Sequence, residues 1–185
     1  MDKRQKRLII LAGANGTGKT TVAGELLKEY SLEFLNADLI AIETKGRISA
    51  GKMFIKTMNK AIDRKASIAV ESTLSGSYLV KTIKRVKKLG YRISIIYIFV
   101  DNPKVALERI KVRVEAGGHN VPKEDVIRRF YRSKSNFWRL YKEIVDEWTI
   151  FYNGMERLVP VAAGDKSSFE IMDEGLFSLY KKGKQ

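Results

Sequence analysis

Leu8-Ile9-Ile10-Leu11-Ala12-Gly13-Ala14-Asn15-Gly16-Thr17-Gly18-Lys19-Thr20-Thr21 decides how this chain is read. An apolar run enters it, a glycine-rich turn follows, and a helical pattern leaves it through Val22, Ala23, Leu26 and Leu27. Gly13 to Thr20 satisfies G-x-x-x-x-G-K-[ST], the phosphate-binding P-loop, in the strand-then-helix context that the motif needs. Glycines let backbone wrap an anion without Cβ atoms in the way. The N–H groups of Ala14, Asn15, Gly16, Thr17, Gly18, Lys19, Thr20 and Thr21 are then available to phosphate oxygens, with the positive end of the following helix behind them. Lys19 reaches the β- and γ-phosphates, and the Thr20 hydroxyl can take a place on Mg²⁺. A nucleoside triphosphate is therefore the expected ligand.

Composition narrows the class. The 185 residues suit one domain with a real core, and apolar content is ordinary for a globular protein. No apolar run has membrane-spanning length, and the charged Met1 to Arg7 stretch is unlike a signal peptide. Cysteine is absent and there is one histidine, which excludes disulfides and argues against zinc sites. A reducing, cytoplasmic setting fits, with no membrane partner. The formal charge of +14 attracts polyanions, whether an acidic small substrate, an acidic protein or a nucleic acid.

Apolar runs and helical spacings alternate along the chain. Strands are expected at Arg7 to Ala12, Glu33 to Asn36, Ser67 to Glu71 and Tyr91 to Val100, and later at Trp148 to Tyr152 and Leu158 to Ala162. Helices are expected from the P-loop to about Tyr30, over Ser49 to Lys65 and over Tyr78 to Leu89. A further helix starts at Pro103, one long helix runs from Pro122 to about Val145, and the last covers Ser167 to Lys182. The alternation argues an α/β fold with a parallel sheet covered on both faces.

In such a sheet, ligands gather beyond the carboxyl ends of the strands. The second strand ends at Asp38, a candidate to hold and deprotonate an acceptor hydroxyl. The third ends at Glu71-Ser72-Thr73. Glu71 can bind a substrate hydroxyl, hold a metal-bound water or pair with a lysine, and Thr73 can donate to the same ligand. Asp101, ahead of Asn102-Pro103, reads as a helix cap. Arg109 and Arg113 precede a Gly117-Gly118 break, and Arg128, Arg129 and Arg132 follow it. Arginines on both arms of such a break are how a mobile lid is built. Phe130, Phe137 and Tyr141 stand at helical spacing and read as core, and His119 as a loop residue in a structural role.

With Gly13 to Thr21, Asn36-Ala37-Asp38, Glu71-Ser72-Thr73-Leu74 and Gly117-Gly118-His119-Asn120-Val121-Pro122 in view, the chain resembles the zeta-toxin group of P-loop kinases over roughly Leu8 to Trp148. It looks most like the short stand-alone members. The resemblance implies a P-loop kinase-like three-layer sandwich with a mainly parallel sheet and a helical lid, as one domain over residues 1–185. It implies transfer of phosphate from ATP, with Mg²⁺, to the sugar 3′-hydroxyl of UDP-N-acetylglucosamine, and a small antitoxin that blocks the nucleotide site. By position it implies that Asp38 deprotonates the acceptor, that Glu71 and Thr73 hold it, that Lys19 and Thr20 serve ATP and Mg²⁺, and that Arg113 approaches the transferring phosphate. The larger toxins carry another phosphate-facing arginine, whose place falls near His119 here. Arg128 or Arg132 is the candidate replacement. The residues also admit a nucleotide or polynucleotide kinase, and an ATP-dependent binding protein without transfer activity.

Overall fold

In the computed structural model, residues 5–28, 32–36, 47–154 and 157–182 are described. The strands are β1 (Arg7–Ala12), β2 (Glu33–Leu35), β3 (Ile68–Ser72), β4 (Arg92–Phe99), β5 (Glu147–Tyr152), β6 (Val159–Gly164) and β7 (Phe169–Ile171). They form one sheet in the order β2-β3-β1-β4-β5-β6-β7. The first five pair in parallel, and β6 and β7 add antiparallel. The helices are α1 (Lys19–Leu26), α2 (Arg47–Asp63), α3 (Tyr78–Lys88), α4 (Pro103–Glu115), α5 (Lys123–Asn136) and α6 (Glu174–Lys182).

β1 is central because both of its faces are covered, with Leu8 to Ala12 buried throughout. Continuous apolar runs are what a doubly covered parallel strand requires. On one face, Ile10, Val70, Ile83, Ile93 and Ile95 join Phe137, Trp148 and Tyr180 in the main core. On the other, Leu11 and Ile98 meet Ala23 of α1. A third cluster packs α4 on α5 through Ala106, Ile110, Val126 and Phe130, and reaches Ala14 of the P-loop. α4 therefore rests directly on the phosphate loop, where a Cβ on Gly16 would meet Ala106 O.

Four local expectations differ from the structure. α1 gives way after Leu26, where the Lys28 N–H turns back to Glu25 O, three residues earlier, as a tightening last turn does. α5 does not run on to Val145. It widens into a π-helical turn over Phe137–Tyr141, with the Lys142 N–H bonding Phe137 O. The wider turn accompanies full burial of both Phe137 and Tyr141. Asn102, not Asp101, caps α4, its side chain accepting from the N–H groups of Lys104 and Val105. Asp101 instead accepts the Tyr152 hydroxyl at 2.9 and 3.0 Å. The last stretch opens as strand β7, because Asp165 Oδ1 accepts from the N–H groups of Ser167 and Ser168 and turns the chain back on β6.

One lysine sits in the core. Lys134 is only 2% exposed, and its ammonium lies 5.0, 5.5 and 5.6 Å from the ring centres of Tyr180, Phe130 and Phe99. Burial pushes its pKa down from 10.5 to about 8. Between those values the unfolded chain holds more protons than the folded one, so this group makes stability rise with pH across that window. Lys134→Met is expected to stabilise the fold by about 1–3 kcal/mol at neutral pH, the cation–π contacts offsetting part of the desolvation cost. Denaturant unfolding at pH 7 and pH 10 checks this: the gain should shrink toward zero at the higher pH.

Candidate active site

The site grows from the carboxyl end of β1, where the winding of the sheet reverses between β3 and β4. Gly13, Gly16 and Gly18 hold φ values of 142°, 80° and 85°. Space, as well as conformation, demands glycine here. A Cβ on Gly13 would lie 2.2 Å from Ile98 O, and one on Gly16 2.3 Å from Ala106 O. The Ala14 carbonyl organises the turn, accepting from the Thr17 hydroxyl at 3.0 Å and from Lys19 Nζ at 2.9 Å. The Gly13 N–H donates to Ser72 O, tying the loop to the end of β3.

The parallel register sets Leu11 beside Glu71, so the Glu71 carboxylate arrives at the start of α1. Its Oε2 accepts from the Thr20 hydroxyl at 2.9 Å and from Asn36 Nδ2 at 2.7 Å. Its Oε1 is 3.6 Å from Lys19 Nζ. Of the readings open from the residues alone, the structure brings together the P-loop lysine, the P-loop hydroxyl and this carboxylate. That oxygen set suits a hard cation. Mg²⁺ takes oxygen ligands, and P-loop proteins hold it with the loop Ser/Thr, a carboxylate from a neighbouring strand and the substrate phosphates. Thr20 and Glu71 are the residues that would hold it. No cluster of three or more His, Asp or Glu side chains occurs among the described residues, so the phosphates would have to complete the shell.

A cavity of about 800 Å³ opens over this cluster. Asn15, Gly16, Gly18, Lys19, Thr20, Thr21 and Glu71 line it, Arg109 and Arg113 descend into it from α4, and Val22, Glu25, Asn153, Arg157 and Leu158 complete the wall. Arg113 Nη2 donates to His119 O at 2.7 Å, so His119 acts here through its backbone and bends the segment after α4 onto the arginine. Among the described residues, two buried side-chain polar atoms lack a hydrogen-bond partner, Asn15 Oδ1 and Arg113 Nε, and both residues line the cavity.

Other expected residues lie elsewhere. Arg128 is 58% exposed and pairs with Asp125 at 2.7 Å; it does not line the cavity, because its place in α5 points it along its own helix. Thr73 bonds the Ser75 hydroxyl at 2.9 Å in the loop after β3 and is also outside the cavity lining. Asp38 lies outside the described residues. Asn36, two residues before it, reaches Glu71. Asn36 stands in a segment quoted above but with no role assigned, and Asn153 and Arg157 carry no signal in the sequence. Asn153-Gly154 after a strand reads as an ordinary turn.

A glycine-rich phosphate loop at the switch point of a mainly parallel sheet, with Arg109 and Arg113 brought over it by α4, defines the P-loop kinase class. The comparisons specify which. The family model for zeta toxins matches residues 44–161, well over half of the chain, and the chain belongs to the zeta-toxin family. It is 30% identical over 134 residues to an uncharacterized protein of Haemophilus influenzae, covering 69% of this chain and 94% of that one. Among solved structures, it superposes on a chain of the AvrRxo1-ORF1:AvrRxo1-ORF2 complex with sulphate ions at a TM-score of 0.78 and 19% identity, covering 100% of this chain and 66% of the other. The same complex with ATP gives 0.73 and 20%, with the same coverage. The PezAT toxin–antitoxin system of Streptococcus pneumoniae gives 0.65 and 15%, covering 99% and 87%. These likenesses show the fold. The chain spans just under two thirds of the AvrRxo1 chain it matches. Among the described residues no helix is long and apolar enough to cross a membrane.

Proposed function

We propose that this chain binds ATP and Mg²⁺ and transfers the γ-phosphate to a hydroxyl of an acidic small molecule, with UDP-N-acetylglucosamine as the first candidate. The observation that carries the reading is the convergence of Lys19, Thr20, Glu71, Arg109 and Arg113 on one cavity of about 800 Å³, large enough for a nucleoside triphosphate. Phosphoryl transfer asks the protein mainly to position groups and neutralise charge. Lys19 does this at the β- and γ-phosphates, and Arg113 at the oxygens of the transferring group. Mg²⁺, bound through Thr20 and Glu71, supplies further neutralisation of the phosphates. Asp38 holds the acceptor hydroxyl and takes its proton as the oxygen attacks phosphorus. Support for ATP comes from the solved structural neighbour with ATP, and support for an antitoxin partner from the PezAT toxin–antitoxin system among the structural neighbours.

The arginine arm gives a separate expectation. A Cβ on Gly118 would lie 2.6 Å from Arg113 Cγ and 2.7 Å from Arg113 O. Gly118→Ala must therefore shift the Arg113 stem or the segment that holds its guanidinium through His119 O, and kcat should fall by about tenfold or more with KM for ATP little changed, as misplacing one charge-stabilising group does. Steady-state kinetics against ATP concentration read this directly.

The acceptor is tested by offering γ-labelled ATP with UDP-N-acetylglucosamine, with a 5′-hydroxyl oligonucleotide, and alone. A labelled sugar nucleotide is the expected product. A labelled oligonucleotide in its place would assign the +14 charge to nucleic-acid binding and replace the sugar acceptor.

A further inference from the structure

The cavity includes a side chain that no phosphate-loop motif contains. Asn153 follows β5 in the sheet, 136 residues from the loop, and its Nδ2 donates to Thr17 O at 2.9 Å. Its own backbone is fixed independently, the Asn153 N–H donating to Phe99 O at 2.9 Å at the end of β4. The amide also sits so close to the loop that a Cβ on Gly18 would meet Nδ2 at 2.4 Å.

The consequence follows from peptide geometry. In a trans peptide the carbonyl oxygen and the next N–H point in opposite directions. The chain contains no cis peptide among the described residues. Holding Thr17 C=O toward Asn153 therefore turns the Gly18 N–H the other way, into the concave side of the loop. Gly18 is the residue before α1, in the left-handed conformation at φ 85°, and its peptide has no side chain of its own to steer it. The Val22 N–H bonds Gly18 O, so the following peptide is already committed to the helix. The Thr17–Gly18 peptide is the free joint between turn and helix, and Asn153 is what locks it.

We infer that Asn153 is a positioning residue for the triphosphate cradle: by anchoring Thr17 C=O it presents the Gly18 N–H to phosphate oxygens. The inference rests on the nucleotide-binding reading above and adds a residue from the β5–β6 connection to it. A side chain lining the cavity could otherwise be a reader of the nucleobase. The two roles separate by ligand, because only a base reader needs a base.

The experiment measures binding of Mg-ATP and of Mg-tripolyphosphate, the latter having no base, by calorimetry on the full chain. Wild type is compared with Asn153→Asp, which keeps the shape but sets an acceptor against Thr17 O, and with Asn153→Ala. Thermal melting without ligand accompanies each variant and is expected to move little, since one hydrogen bond at the surface of the loop is at stake. Both ligands are expected to weaken by the same factor, about tenfold for Asn153→Asp and less for Asn153→Ala. Loss confined to ATP would overturn the inference in favour of base reading. Unchanged affinity for both ligands in folded variants would overturn it as well. Wild-type protein that binds neither ligand would overturn the nucleotide-binding reading itself, and the inference with it.

Discussion

Lys19→Met is expected to lower kcat/KM for phosphate transfer by on the order of 10³ while leaving the fold in place. Lys19 is 5% exposed, and its ammonium is held between Ala14 O and the Glu71 carboxylate at the mouth of the phosphate loop. In that position it is the cation best placed to offset charge on the β- and γ-phosphates, in a pocket where water screens little. Methionine keeps the buried aliphatic stem and removes the charge. Glu71 retains the Thr20 and Asn36 bonds, so the carboxylate is not left without partners. Parallel measurement of Mg-ATP affinity, turnover and melting temperature separates the effects. Turnover within threefold of wild type would remove Lys19 from the mechanism.

Asp38→Asn should lower transfer by about 10²–10⁴ with Mg-ATP affinity close to wild type. The amide keeps the size and the hydrogen bond to the acceptor but cannot take its proton. Asp38 follows β2, and the intervening Asn36 already touches Glu71, whose carboxylate meets Thr20 of the loop. Binding of nucleotide depends on the loop and should be insensitive to the change. A parallel fall in ATP affinity and turnover would instead move Asp38 to the nucleotide side of the site.

The strand–loop–helix unit was legible because its signals are local. A doubly buried strand is an unbroken apolar run, and the glycines of the loop are fixed by backbone conformation. The same holds for β3, β4 and for Phe130, Phe137 and Tyr141, whose burial follows from spacing. Pairwise geometry across the sheet was not legible. Glu71 could serve a substrate, a metal or a lysine until the register of β1 on β3 set it against Thr20 and Lys19. Asp101 and Asn102 both cap helices well, and only the presence of Tyr152 beside Asp101 decides between them. Arg128 matched the expected lid composition, but Asp125 one turn earlier takes its guanidinium. The widened turn at Phe137–Tyr141 and the short β7 depend on tertiary packing and a side-chain turn, which periodicity does not encode.

The most direct test of the central claim is the fate of label from γ-labelled ATP with Mg²⁺ and UDP-N-acetylglucosamine, wild type beside Asp38→Asn. Label in the sugar nucleotide from the wild type, with Asp38→Asn at least a hundredfold slower, is the predicted result. Label released only as inorganic phosphate, at the same rate by both proteins and with no acceptor labelled, would contradict it.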